Sequence, residues 1–223
     1  MKIRFLFDYL SPYSYLAWTQ IHAIADRHGA KVEPVPILVA ALLGAHGHKG
    51  SAEIPGLREY TFKDVLRKAR ALGVELAPPA THPFNPLLPL RASCLDDILP
   101  EDRRRLIDAL YRATWAESRR VDQPEVVEQV AREVGLDGAA IVRAAGAEAT
   151  KTRLRTQTEH AISLGVWGVP TLLATRAGKS EELFWGLDAL PHVEEYLRGE
   201  DVLPAETVKR WVTVPPSASR IRL

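Results

Sequence analysis

Apolar and polar positions alternate from Lys2 to Asp8, with Ile3, Phe5 and Phe7 on one face, and this period of two predicts a half-buried strand. Pro12 then precedes a run from Tyr13 to His28 without glycine or proline, the pattern of a helix that starts on proline. Val32 to Val39 predicts a second strand; Pro34 and Pro36 cannot donate to a ladder, so this strand belongs at a sheet edge. Strand, helix and strand form a right-handed βαβ unit. Helical spacing follows over Tyr60 to Leu72, Asp102 to Ser118, Pro124 to Val134, Ala139 to Ala145 and Thr150 to Leu164. Leu106, Ile107, Leu110, Tyr111 and Trp115 make one apolar face. No strand pattern interrupts this block. The last third changes character: Thr171 to Thr175 reads as a strand, Ala177-Gly178-Lys179 as a turn, and Leu183 to Trp185 as its hairpin partner. Gly186 breaks the strand, and Leu187 to Arg198 returns to helix. The tail from Val214 to Leu223 is left open between loose order and packing on a partner subunit.

Composition narrows the class. At 223 residues the chain can bury a sizeable core, and 46% hydrophobic with 26% charged residues is ordinary for a soluble globular protein. A net charge of +1 supplies no field for nucleic acid or an anionic membrane. Arg103-Arg104-Arg105 opens an amphipathic helix and reads as a solvated face, with no interleaved aromatics for stacking bases. No signal peptide is recognisable and no apolar stretch reaches about 18 residues, so a cytoplasmic enzyme is expected. Cys94 is the single cysteine, which excludes an internal disulfide or dithiol couple; it reads as a small buried hydrophobe.

The chemistry concentrates at Ser11-Pro12-Tyr13-Ser14, a C-P-Y-C redox turn with serine at both cysteine positions. Lying after a strand and opening a helix, the Ser11 hydroxyl sits beside unpaired N–H groups at the positive end of a helix dipole, where an anion is held. Serine is also a preferred helix N-cap, and the two roles are compatible. Ser14, one turn on, reads as structural. His46 and His48 lack a carboxylate or cysteine at ligand spacing, so no metal is expected. His160 reads as a surface histidine. The order βαβ, helical block, ββα describes an α/β protein with a thioredoxin-like fold interrupted by an all-helical insertion. Residues 1–40 and 160–223 form the first part and residues 41–159 the insertion.

Phe7-Asp8-Tyr9-Leu10-Ser11-Pro12-Tyr13-Ser14-Tyr15-Leu16-Ala17, Pro83-Phe84-Asn85 with Leu90-Arg91, Gly168-Val169-Pro170-Thr171 and Phe184-Trp185-Gly186-Leu187-Asp188 occur in this order. Together they resemble the 2-hydroxychromene-2-carboxylate isomerases and kappa-class glutathione transferases, in the DsbA-like branch of the thioredoxin superfamily. The resemblance implies a homodimer that binds glutathione, with Ser11 holding the sulfur as thiolate. It implies a cis Val169–Pro170 bond, so that the Val169 backbone pairs with the tripeptide. It also implies that the Trp185-Gly186-Leu187-Asp188 turn holds the γ-glutamyl end, although Asp188 could equally cap the last helix. His48 as a pocket wall, and Asn85 and Arg91 toward a substrate carboxylate, are candidates against the plainer readings of turn chemistry and a surface cation. Two positions depart from the family pattern: Ala189 stands where an arginine often follows the aspartate, and His48 where an asparagine follows the glycine.

The implied activity is glutathione-dependent interconversion of 2-hydroxychromene-2-carboxylate and trans-o-hydroxybenzylidenepyruvate in naphthalene-type degradation of aromatics. The alternatives are a kappa-like transferase or peroxidase acting on another electrophile, or a non-catalytic thioredoxin-fold binding protein. Thiol-disulfide exchange is not expected, since neither turn position carries sulfur.

Overall fold

The computed structural model describes residues 1–201 and 203–217. Four strands, β1 (Lys2–Phe7), β2 (Lys31–Pro36), β3 (Thr171–Thr175) and β4 (Glu182–Trp185), form one sheet in the order β2-β1-β3-β4. β1 pairs parallel with β2 and antiparallel with β3, and β3 pairs antiparallel with β4. β2 lies at the edge, where Pro34 and Pro36 do least harm. α1 (Pro12–Arg27) makes the crossover from β1 to β2.

Between β2 and β3 run α2 (Val39–His46), α3 (Pro55–Leu72), α4 (Leu87–Ala92), α5 (Pro100–Trp115), α6 (Pro124–Glu133), α7 (Gly138–Gly146) and α8 (Glu148–Ser163). α9 (Leu190–Arg198) and α10 (Ala205–Val212) follow β4. The result is a thioredoxin-like fold carrying a helical insertion. Three expectations are corrected. The second strand ends at Pro36 and gives way to α2 at Val39. α3 begins at Pro55 rather than Tyr60, and α4 and α10 form in stretches for which the pattern predicts no element. Of the tail, residues 214–217 are irregular, and the remainder lies outside the described residues.

The strand alternation decides the layers. Ile3, Phe5 and Phe7 face the larger cluster, which runs from α1 into α5 and α6 through Leu106, Leu110, Tyr111 and Val127. Leu6 points the other way, against Ile37, Leu42, Ala161, Val166 and Leu173. Trp115 ties the helical block to the sheet: it is 1% exposed, and its indole N–H donates to the Tyr9 carbonyl at 2.9 Å. Tyr9 is joined to the end of α4 by a hydroxyl pair with Ser93 at 2.7 Å. Cys94 is buried as expected; its thiol donates to Gln157 Oε1, and burial pushes its pKa up to about 12. Arg103 departs from the solvated-face reading, because its guanidinium turns inward and donates to the Leu95 carbonyl.

Candidate active site

The Ser11 turn is built at the point where β1 gives way to α1. Ser11 is the N-cap of α1, with extended backbone angles; its amide donates to the Asp8 carbonyl at 3.1 Å, and its hydroxyl oxygen accepts the Ser14 amide at 3.1 Å. Pro12 fills the first helical position, where no N–H partner is needed. Ser14 is fully buried, in keeping with a structural role. The Ser11 hydroxyl also faces the Val169 carbonyl at 3.5 Å, the outer limit of hydrogen bonding. As cap acceptor the oxygen is engaged, while its proton has only this long contact and is available to a better acceptor.

The opposite wall is the loop entering β3. The Val169–Pro170 bond is cis, as expected. The Pro170 carbonyl accepts the Gly186 amide at 2.8 Å, which seals the loop to the end of β4. Gly186 has φ of 91°, a conformation that glycine adopts without a Cβ penalty. Gly168 lies under Trp185, whose indole nitrogen would be 2.8 Å from an added Cβ, so a larger residue here would push the half-exposed ring aside. Trp167 and Trp185 stand half exposed beside one another, with ring centroids 6.0 Å apart.

Asp188 does not cap a helix: neither the single turn at Leu187–Ala189 nor α9 receives a side-chain cap. Its exposed carboxylate accepts from the Lys68 ammonium of α3 at 2.6 Å. Lys68 also pairs with Asp64 at 3.1 Å and lies 5.1 Å from the centre of the Tyr13 ring; the Tyr13 hydroxyl donates to Asp64 at 2.7 Å. Burial raises the Asp64 pKa, but the Tyr13 and Lys68 bonds outweigh it and hold the carboxyl below its ordinary range. Burial pulls the Lys68 ammonium down, and the two aspartates more than reverse this. Burial and Asp64 both push the Tyr13 phenol up, so it is a neutral donor. This cluster of one cation and two carboxylates carries a net charge of −1 and joins the Ser11 helix to the Asp188 turn. Sequence reasoning missed Lys68, Asp64 and Tyr13, because nothing local distinguishes a lysine on a solvated helix face.

His82 was also missed. Its ring Nε2 meets the Leu10 carbonyl at 3.0 Å, so this nitrogen carries the proton, and Arg58 approaches Nδ1 at 3.4 Å and the His82 carbonyl at 3.1 Å. Burial, reinforced by Arg58, lowers the His82 pKa, and the bond to the Leu10 carbonyl offsets this only in part.

None of the remaining candidates is hydrogen-bonded to the Ser11 turn or the Val169 loop among the described residues. Asn85 is exposed, and its side chain accepts the Leu87 amide at 3.1 Å in a turn that starts α4, the plainer reading of that residue. His48 is exposed beyond the end of α2. Arg91 lies on α4, with its Nε buried and without a partner among the described residues. No group of three or more His, Cys, Asp or Glu side chains that could hold a metal occurs among the described residues.

Beneath the turn lies Asp8, which has no exposed surface. It accepts the Leu10 amide at 3.0 Å through one oxygen and the Val39 amide at 2.9 Å through the other. Burial raises its pKa from the ordinary 3.8 to about 7, and the two amide bonds pull it back only in part. Between these values the unfolded chain has lost a proton that the folded chain keeps. Stability therefore falls as pH rises from about 4 to about 7, by about 1.4 kcal/mol per pH unit for one full proton, and levels off above. Denaturant unfolding of the wild type and Asp8→Asn across this range checks it: the difference between the two curves carries the slope, and parallel curves would remove Asp8 as its source.

A four-stranded sheet with a cis-proline loop facing the amino end of α1 defines a thioredoxin-type protein, and the chain belongs to the family described as the DSBA-like thioredoxin domain, which matches residues 2–198. Among relatives, it is 26% identical to a 2-hydroxychromene-2-carboxylate isomerase of Pseudomonas putida over 192 residues, covering 85% of this chain and 91% of that protein. It is 28% identical to a glutathione S-transferase kappa 2 of Caenorhabditis elegans over 207 residues, covering 87% and 91%. The solved structure of a 2-hydroxychromene-2-carboxylate isomerase superposes with a TM-score of 0.80 at 25% identity, covering 89% of this chain and 95% of that one. Among the described residues no helix is long and apolar enough to cross a membrane.

Proposed function

We propose that this chain is a glutathione-dependent isomerase of the 2-hydroxychromene-2-carboxylate type. The observation that carries the reading is the Ser11 hydroxyl, capping α1 with its oxygen while its proton faces the Val169 wall at 3.5 Å. The donor set suits the tripeptide: a hydroxyl and a helix N-terminus for a thiolate, the Val169 backbone for a peptide, and a carboxylate with an ammonium for an α-amino acid head. Glutathione supplies a thiolate that can add to an activated carbon and leave again, so that a double bond becomes single, rotates and re-forms. Ser11 donates its hydroxyl proton to the sulfur, and the dipole of α1 favours the negative charge. Val169 and Pro170 hold the peptide extended. Trp185, Gly186 and Leu187 shape the turn that brings Asp188 to the γ-glutamyl end.

At that end Asp188 takes the ammonium, for which the net charge of −1 in the Lys68 cluster leaves room, and Lys68 takes the carboxylate. Lys68 thus supplies from α3 the cation that Ala189 does not. Lys68→Met is expected to weaken glutathione binding by about tenfold, the worth of one charged hydrogen bond after solvent screening. An analogue lacking the γ-glutamyl α-carboxylate is expected to bind both proteins equally in a calorimetric titration. Equal loss for both ligands would assign Lys68 a purely structural role.

A second reading rests on the kappa-class relatives: a transferase or peroxidase that uses the same site and consumes glutathione. Mixing the protein with the chromene and a small fraction of an equivalent of glutathione separates the two. Ultraviolet conversion to the benzylidenepyruvate that runs on to the same equilibrium at any glutathione level, with glutathione retained, supports the isomerase. Conversion that stops when glutathione is exhausted supports the transferase, and tight glutathione binding without turnover would leave a binding protein. We further propose a cytoplasmic homodimer, and a division into a thioredoxin-like part of residues 1–40 and 160–223 and a helical insertion domain of residues 41–159.

A further inference from the structure

Hydrogen bonds close a circuit around the candidate site. The Asp8 carboxyl holds the Leu10 amide, next to Ser11, and the Val39 amide, at the start of α2. Leu38, the N-cap of α2, has no side-chain acceptor to offer, so Asp8 caps this helix from another element. At the far end of α2, His46 Nε2 donates to the Val166 carbonyl at 2.9 Å. Val166 enters the loop that carries Val169, and the Val169 carbonyl faces the Ser11 hydroxyl. Both ends of α2 are therefore fastened, one to each side of the Ser11–Val169 contact.

We infer that Asp8 is a positioning residue: its carboxylate staples the Ser11 turn to the amino end of α2, and α2, anchored through His46, sets the Val169 wall opposite Ser11. An ionised carboxylate accepts both amides fully. The neutral acid turns one oxygen into a hydroxyl, a poorer acceptor, and slackens one end of the staple. The raised Asp8 pKa places that change near neutrality. The titratable groups around Asp8 are few. Tyr9 on its own chain segment and Tyr111 of α5 are buried phenols held neutral. Asp108 of α5 acts on Tyr9. α8 meets the start of α2 through the uncharged Thr158, whose hydroxyl oxygen accepts the Leu38 amide at 3.1 Å. His46 and His48 lie at the other end of α2.

Two measurements test this. The first, resting on the glutathione reading, is binding of S-methylglutathione, which has no ionisable thiol, as a function of pH. Wild-type affinity is expected to rise about tenfold as pH passes upward through about 7, and Asp8→Asn is expected to stay at the weaker level throughout. Identical pH profiles for the two proteins would overturn the role. The second needs no ligand: the backbone amide resonances of Leu10, Val39 and Val169 are followed through the same range. All three are expected to titrate together in the wild type and to be silent in Asp8→Asn. In His46→Ala only Val169 is expected to fall silent. A Val169 signal that does not move in the wild type, or that still moves in Asp8→Asn, would break the circuit. If Asp8→Asn does not fold, the wild-type and His46→Ala titrations decide by themselves. If S-methylglutathione binds at no pH, the functional reading fails and the amide titration still tests Asp8.

Discussion

Ser11→Ala is expected to slow turnover roughly ten- to hundredfold, because one charge-assisted hydrogen bond is worth about 1.5–3 kcal/mol and each decade about 1.4 kcal/mol. Glutathione affinity should change less, since Val169, Asp188 and Lys68 hold the peptide portion. The dipole of α1 remains, so part of the thiolate survives. Loss of the cap to Ser14 costs about 1 kcal/mol of stability, which denaturant unfolding measures separately. Turnover lost in proportion to unfolded protein alone would make Ser11 only a cap. Ser11→Cys is the sharper partner experiment, because its sulfur would crowd glutathione or form a mixed disulfide with it, suppressing isomerisation while introducing redox chemistry.

Trp115→Ala is expected to destabilise the fold by about 3–5 kcal/mol, the range for truncating a fully buried large aromatic. It also leaves the Tyr9 carbonyl without its indole partner, two residues from Ser11. Trp115→Phe keeps most of the volume and isolates the hydrogen bond, so it should lose about 0.5–1.5 kcal/mol on that account. Denaturant unfolding of the two variants checks the ranking. A loss below about 1 kcal/mol in Trp115→Ala would show that α5 and the sheet are held together elsewhere.

The parts of the site that lie on local signals were legible in the sequence. Proline after serine at a strand end marked the Ser11 turn, and Gly168-Val169-Pro170 and Gly186 marked the two loops that meet it. Period-two and helical patterns placed β1, α1, β3, β4 and most of the helical block. α2 was hidden because its cap is a side chain from β1's end: with Leu38 at the N-cap, the apolar run from Val35 to Val39 reads as continuing strand. Lys68 and Asp188 are 120 positions apart, and only the packing of α3 beside α1 brings them together. His82 followed a similar logic, meeting the Leu10 carbonyl from a proline-rich loop whose path no periodicity describes. Asn85 and Arg91 rest on the resemblance; locally, Asn85 makes the turn bond to the Leu87 amide that its residue type favours.

The central claim is that Ser11 and the amino end of α1 hold a sulfur as thiolate, and ultraviolet thiolate absorbance of protein-bound glutathione titrated against pH tests it most directly. A free thiol ionises near pH 8.5, and a shift of about two units downward is worth about 2.7 kcal/mol, within reach of one hydroxyl hydrogen bond and a helix dipole together. The account predicts a bound midpoint near pH 6.5, moving back toward the free value in Ser11→Ala. A midpoint at the free-thiol value in the wild type, unchanged by the substitution, would contradict it.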